Sequence, residues 1–236
     1  MSEKGNQAVK TVSFMMLITL FGKILGMVRE QLLAANYGTD MQAAAFLLAS
    51  RIPRTFFDVI FASAISASFI PVFVEYLQKK GRQEAFSLAN RFITMISTVT
   101  LLMMLLGMAF AKPLTLLIAP GYDVETVTLC VGLLRMLFPT MLFTAVAFSF
   151  VGILQSLEEF NVPAALSVVS NGVLILYYIF FNEKFGILGL TAAFLIGWAM
   201  QAVIQIPSLW KKGYHYRPDF HFKDDGLRKI GRLMLP

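Results

Sequence analysis

Residues 12–35 read VSFMMLITLFGKILGMVREQLLAA, an apolar run whose only charges are Lys23, Arg29 and Glu30. Wound as a helix at about 1.5 Å per residue, it reaches about 36 Å, enough to cross a hydrocarbon core about 30 Å thick. A cation at mid-membrane costs about 2.5–3.5 kcal/mol on insertion scales, so cations kept in a span face a cavity, a partner or an interface. Working outward, further apolar runs occupy residues 41–73, 86–111, 127–154, 163–181 and 187–209. The expected fold is an all-α polytopic membrane protein, a six-helix bundle over residues 1–210 with a basic, amphipathic connector at 211–236. The run 41–73 is long enough for a tilted or broken helix, with Pro53 and Pro71 as the expected break points.

The composition agrees. Of 236 residues, 57% are hydrophobic and 14% charged, and the mean hydropathy is +0.70. Soluble domains carry about 25% charged residues, so a water-soluble globule is excluded. Residues 1–10 are polar, and no small-residue cleavage site follows a short apolar core, so the first span is expected to stay as an anchor. Cys130 is the single cysteine, which excludes an internal disulfide and a cysteine metal cluster.

The net charge of +6 resides in particular loops. Lys4 and Lys10 precede the first span, Lys79, Lys80 and Arg82 follow the second, and Lys211, Lys212, Arg217, Lys223, Arg228, Lys229 and Arg232 follow the sixth. The opposite side carries Lys112 and Lys184 beside Asp123, Glu125 and Glu183. The positive-inside rule then places both ends in the cytoplasm and accounts for the basic balance without nucleic acid. Arg91 lies near a cytoplasmic helix end, where it is expected to snorkel without a role of its own. After Trp210, aromatic and basic residues interleave as at a membrane interface. From an N-cap at Asp224 or Asp225, Leu227, Ile230 and Met234 recur at helical spacing, as in a helix lying on the inner leaflet. The final Met234-Leu235-Pro236 reads as the threshold of another element, and a truncated chain is expected.

The candidate site is the set of intramembrane cations. Arg51, Arg54 and Asp58 stand at i, i+3 and i+7 and share a helix face. Arg51 has no acid one turn away and reads as an anion-binding group. For Arg54 two readings stay open: Asp58 tunes it for binding, or the two neutralise each other. Lys23 and Arg29 are six residues apart, on different faces of a straight helix unless Gly22 and Gly26 permit a bend. Both are candidate cavity cations, and Arg29 can also snorkel outward; Glu30 adjoins it but points elsewhere on an ideal helix. Arg135, one turn before Pro139, is either a further cavity cation or a donor to carbonyls freed by the proline. No acid pair, zinc-binding helix, phosphate loop or activated nucleophile appears, so no enzyme, cofactor or metal is expected. Ser63, Ser66, Ser68 and Ser97 read as helix-packing residues. His215 and His221 are spaced poorly for a metal on a helix.

The segment Phe21-Gly22-Lys23-Ile24-Leu25-Gly26-Met27-Val28-Arg29-Glu30 resembles the first-helix signature of the MurJ/MviN lipid II flippases. Arg51-Ile52-Pro53 and Ser66-Ala67-Ser68-Phe69-Ile70-Pro71-Val72 resemble its second-helix signature. Ala119-Pro120-Gly121-Tyr122, Leu133-Leu134-Arg135-Met136-Leu137-Phe138-Pro139, Gly152-Ile153-Leu154-Gln155 and Phe160-Asn161-Val162-Pro163-Ala164 resemble later blocks in the same order. The resemblance implies one lobe of a two-lobe transporter of the MOP exporter superfamily, in a bacterial inner membrane, with a second lobe as partner. It also implies a polyprenyl-diphosphate glycolipid, lipid II, as substrate, with Lys23, Arg29 and Arg51 on the family's cavity positions. A diphosphate suits guanidinium and ammonium groups. The chain departs from the pattern at Phe57-Asp58, where the family carries two arginines, and at Ala44 and Ala62-Ser63. An exporter of another polyprenyl-diphosphate glycan, of O-antigen or teichoic type, and a non-transporting scaffold for cell-wall synthesis are the alternatives.

Overall fold

The computed structural model describes residues 3–38, 40–58, 61 and 65–234, with side chains described within 12–233. Ser63, the Ala62-Ser63 departure, the side chains of Lys4 and Lys10, and the final Leu235-Pro236 lie outside the described residues.

The secondary structure of the described residues is entirely helical. α1 covers Glu3–Tyr37, and Gly38, at φ 56°, ends it. α2 (Met41–Phe57) is followed by widened π-helical turns, described over Ile65–Phe69, and by α3 (Ile70–Lys79). α4 (Arg82–Ala109) and α5 (Ala111–Ile118) lead to a loop in which Asp123 caps α6 (Val124–Leu137). The Asp123 carboxylate accepts from the amides of Glu125 and Thr126 at 3.2 and 3.3 Å, as an N-cap should. α7 (Thr140–Ser156) continues α6 beyond Pro139, so the predicted fourth span is one long path with a bend. α8 (Asn161–Ala164), α9 (Leu166–Phe180), α10 (Asn182–Val203) and α11 (Ile206–Lys211) complete the bundle, and α12 is Asp225–Met234. Among the described residues, five helical segments are long and apolar enough to cross a membrane: Val12–Tyr37, Arg82–Ala109, Val124–Ser156, Asn161–Phe180 and Asn182–Lys211. The chain is an all-helical membrane protein.

Two apolar cores hold the helices. One joins Phe69, Phe73, Phe92, Phe150 and Ile153, with the Phe69 and Phe92 rings stacked 4.4 Å apart. The other joins Phe46 and Ile52 of α2 to Leu133, Leu137, Leu174 and Leu190. α1 stands at the margin and packs mainly on α9. That contact is close because Gly22 has no side chain: a Cβ there would lie 2.3 Å from Ser167 Oγ.

Several expectations change. Pro53 does not break the second run, because α2 continues through it to Phe57. The interruption comes after α2, where the turns widen, and Pro71 sits in the first turn of α3, where its missing N–H is harmless. Arg91 does not snorkel: its guanidinium donates to Asp219 at 2.9 Å and to Asp224 at 2.5 Å. Finally, α12 does not lay its apolar face on lipid. Leu227 and Ile230 are buried in the first core, Asp224 caps the helix through the amides of Gly226 and Leu227, and Lys229 pairs with Glu75. Tyr214, expected at the interface, is also buried and donates to Asn90 Oδ1 at 2.8 Å.

Candidate functional site

Arg29 stands between two cavities. The smaller, about 290 Å³, is lined by Arg29, Glu30, Ser50, Arg51, Tyr178 and Phe194 among others, and so lies between α1, α2, α9 and α10. The larger, about 490 Å³, shares Arg29 and adds Arg54 of α2, Gln155 of α7, Ser167, Ser170 and Asn171 of α9, and Trp198 and Gln201 of α10. The helical repeat explains the split. Arg51 and Arg54 lie one turn apart on α2, so they open onto neighbouring spaces on one side of the bundle, and Arg29 of α1 meets both.

Arg29 is held in place. Its guanidinium donates to Asn171 Oδ1 and to Glu30 Oε1, both at 3.2 Å. Glu30 therefore does not point away, because neighbouring long side chains bridge the angle between them. The almost fully buried Asn171 donates in turn to the Gly22 carbonyl at 3.1 Å, which ties the cation to the α1–α9 contact. Arg54 does two things at once. It pairs with Asp58 at 3.4 Å and lies over the Trp198 ring, 6.0 Å from its centroid. Both members of that ion pair are half exposed or more, so the pair contributes little and leaves Arg54 free to meet a ligand. Arg51 is exposed to its cavity and has no acidic partner among the described residues.

The other candidates lie elsewhere. Lys23 sits on the outer surface of α1 in a shallow groove with Met15, Met16, Thr19 and Leu20. Arg135 donates to the Met108 carbonyl at 3.2 Å, serving the C-terminal end of α4 and lining neither cavity. Phe57, where the resemblance leads one to expect an arginine, is buried against Phe61 and Phe148. Asn171, Trp198, Gln155 and Gln201 were missed. The signal that could have found them is an amide inside an apolar run, which lipid tolerates only with a partner or a cavity.

The arrangement is a row of guanidinium groups facing two neighbouring spaces that share Arg29 within a membrane bundle, suited to an anionic headgroup. A family model described as "Lipid II flippase MurJ" matches residues 33–236. The chain belongs to the MurJ family. A *Buchnera aphidicola* protein named "Probable lipid II flippase MurJ" is 31% identical over 224 residues, covering 93% of this chain and 44% of that protein. A *Burkholderia cenocepacia* protein named "Lipid II flippase MurJ" is 26% identical over 197 residues, covering 82% and 38%. The solved structure "Lipid II flippase MurJ, inward closed conformation" superposes with a TM-score of 0.76 at 25% identity, over 94% of this chain and 46% of that one. A MOP-superfamily transporter from *Pyrococcus furiosus* superposes with a TM-score of 0.74 at 16% identity, a likeness of fold alone. The chain spans a little under half the length of the MurJ relatives it matches.

Proposed function

We propose that this chain is one lobe of a flippase that carries lipid II from the inner to the outer leaflet of a bacterial inner membrane. The observation that carries the reading is Arg29, shared by two cavities that also hold Arg51 and Arg54. A diphosphate is drawn to such a row, while its polyprenyl tail stays in the bilayer beside the apolar outer faces of the helices. Alternating access needs two bundles that rock about a central site, so the lobe works with a second of similar size. Lys23, on the outer surface of α1, joins the diphosphate site where that second lobe closes over it. The loop lysines and arginines support an orientation with both ends of the chain in the cytoplasm.

The test is genetic. The full gene that carries this chain is expressed in a bacterium depleted of its lipid II flippase. Growth restored by the parent, and lost in Arg29→Ala and Arg51→Ala proteins that still reach the membrane, is the expected result. Absence of rescue by a well-expressed parent defeats the lipid II assignment. A second reading, transport of another polyprenyl-diphosphate glycan, is favoured by Phe57, which puts a buried ring where the family pattern has a cation.

A further inference from the structure

We infer that the larger cavity, beside Arg29 and Arg54, is a subsite for a neutral, hydroxyl-rich glycosyl group attached to the diphosphate that those arginines hold. The inference rests on the polyprenyl-diphosphate reading and adds to it which wall meets which part of the headgroup.

The cavity's chemistry selects the ligand class. Arg29 and Arg54 are its only charged lining residues among the described residues, and both lie toward α1 and α2. The opposite wall, on α7, α9 and α10, sets uncharged polar groups, Gln155, Ser167, Ser170 and Gln201, and the indole of Trp198 among apolar residues such as Phe148 and Leu166. At about 490 Å³ it falls in the range of sites that enclose small ligands.

Gln201 is the most telling of these residues. It is 6% exposed, yet its side-chain amide makes no hydrogen bond to another described residue. Only its backbone carbonyl is engaged, by Gln205 Nε2 at 2.8 Å. Gln205 also donates to the Ala147 carbonyl at 3.0 Å, which fixes this turn of α10 against α7. Gln155, part-exposed on α7, lines the same cavity with a second amide. An amide with so little access to water favours a partner, so Gln201, with the part-exposed Gln155 beside it, fits a ligand that both donates and accepts hydrogen bonds.

A hydrocarbon tail leaves both amides unpaired, and a cation is repelled by the two arginines. Sugar hydroxyl and acetamido groups satisfy the amides. The C–H face of a pyranose also suits the negative face of an indole, through the ring quadrupole that attracts cations. The Arg54 guanidinium lies 6.0 Å from the Trp198 centroid, so a phosphate at Arg54 brings the attached sugar next to that ring.

The experiment compares two probes with the purified protein in nanodiscs: undecaprenyl diphosphate, and the same lipid bearing one N-acetylhexosamine. In Gln201→Leu and Trp198→Leu proteins, affinity for the sugar-bearing lipid should fall about five- to tenfold, the worth of a lost neutral contact, while affinity for the bare diphosphate stays unchanged. Gln155→Leu provides a second amide test should Gln201→Leu fold poorly, and Trp198→Phe should keep most of the affinity. Equal weakening of both probes marks a structural role and overturns the subsite, as does no weakening of either. A parent protein that binds neither probe overturns the subsite together with the polyprenyl-diphosphate reading beneath it.

Discussion

Arg91 and Arg51 are both guanidinium groups carried on membrane helices. Arg91 is gripped by two carboxylates from the tail, Asp219 and Asp224, whereas Arg51 faces a cavity with no acidic partner among the described residues. One region spends its charge on holding the chain together, and the other leaves its charge open. The difference is one of supply. The loop of residues 212–224 runs back along α4 and delivers acids to Arg91, while the acids nearest the other arginines, Glu30 and Asp58, are half exposed or more. A membrane arginine therefore declares its role by whether the fold provides its counter-charge.

The comparison breaks most plainly if Arg51 or Arg29 can be removed without effect. Losing a charge-assisted contact to a phosphate costs about 1.5–3 kcal/mol, so each alanine variant should weaken diphosphate-lipid binding about ten- to hundredfold and abolish rescue. The thermal stability of Arg51→Ala should stay near that of the parent.

The opposite pattern is expected at Arg91. Arg91→Ala strands two partly buried carboxylates and should cost about 2–3 kcal/mol of stability, with new protease cleavage within residues 212–224. Lipid binding by the surviving folded fraction should be unchanged. A binding defect at constant stability would erase the distinction between the two regions.

Acid sharpens it further. The backbone N–H and ring of His221, and then Arg91, hold the Asp219 carboxyl down to about 2. A depressed carboxylate stabilises the fold fully above its unfolded value of about 4 and loses that contribution as pH falls toward 2. Hydrogen exchange of residues 219–230 should therefore match the neutral pattern at pH 5 and accelerate between pH 4 and pH 2. The smallest effect belongs to Asp58→Asn. An exposed ion pair contributes under about 1 kcal/mol, so neither stability nor binding should change more than about threefold.

Much of the fold was legible because lipid imposes a simple length rule on apolar runs, and the segments found to be long enough follow the predicted runs. The break in the second run was not legible. Proline dominates such readings, yet α2 absorbs Pro53 and the turns widen only after Phe57. The tail was misread for a related reason. The spacing of Leu227 and Ile230 shows an apolar face but not what covers it, and their cover comes from side chains more than a hundred residues earlier, such as Leu88 and Phe73. Within the candidate site, Arg51, Arg54 and Asp58 could be grouped from spacing on a single helix. The meeting of Arg29 with Asn171 joins α1 to α9 and has no local signature.

Gly22 and Ser167 bind the history of two helices together. A methyl group at position 22 would meet Ser167 Oγ at 2.3 Å and Ser167 Cβ at 3.3 Å, so it enters only where the serine turns aside or shrinks. Ser167 is also part of the larger cavity's wall. A larger residue at this helix contact thus also turns or shrinks a residue of the cavity wall.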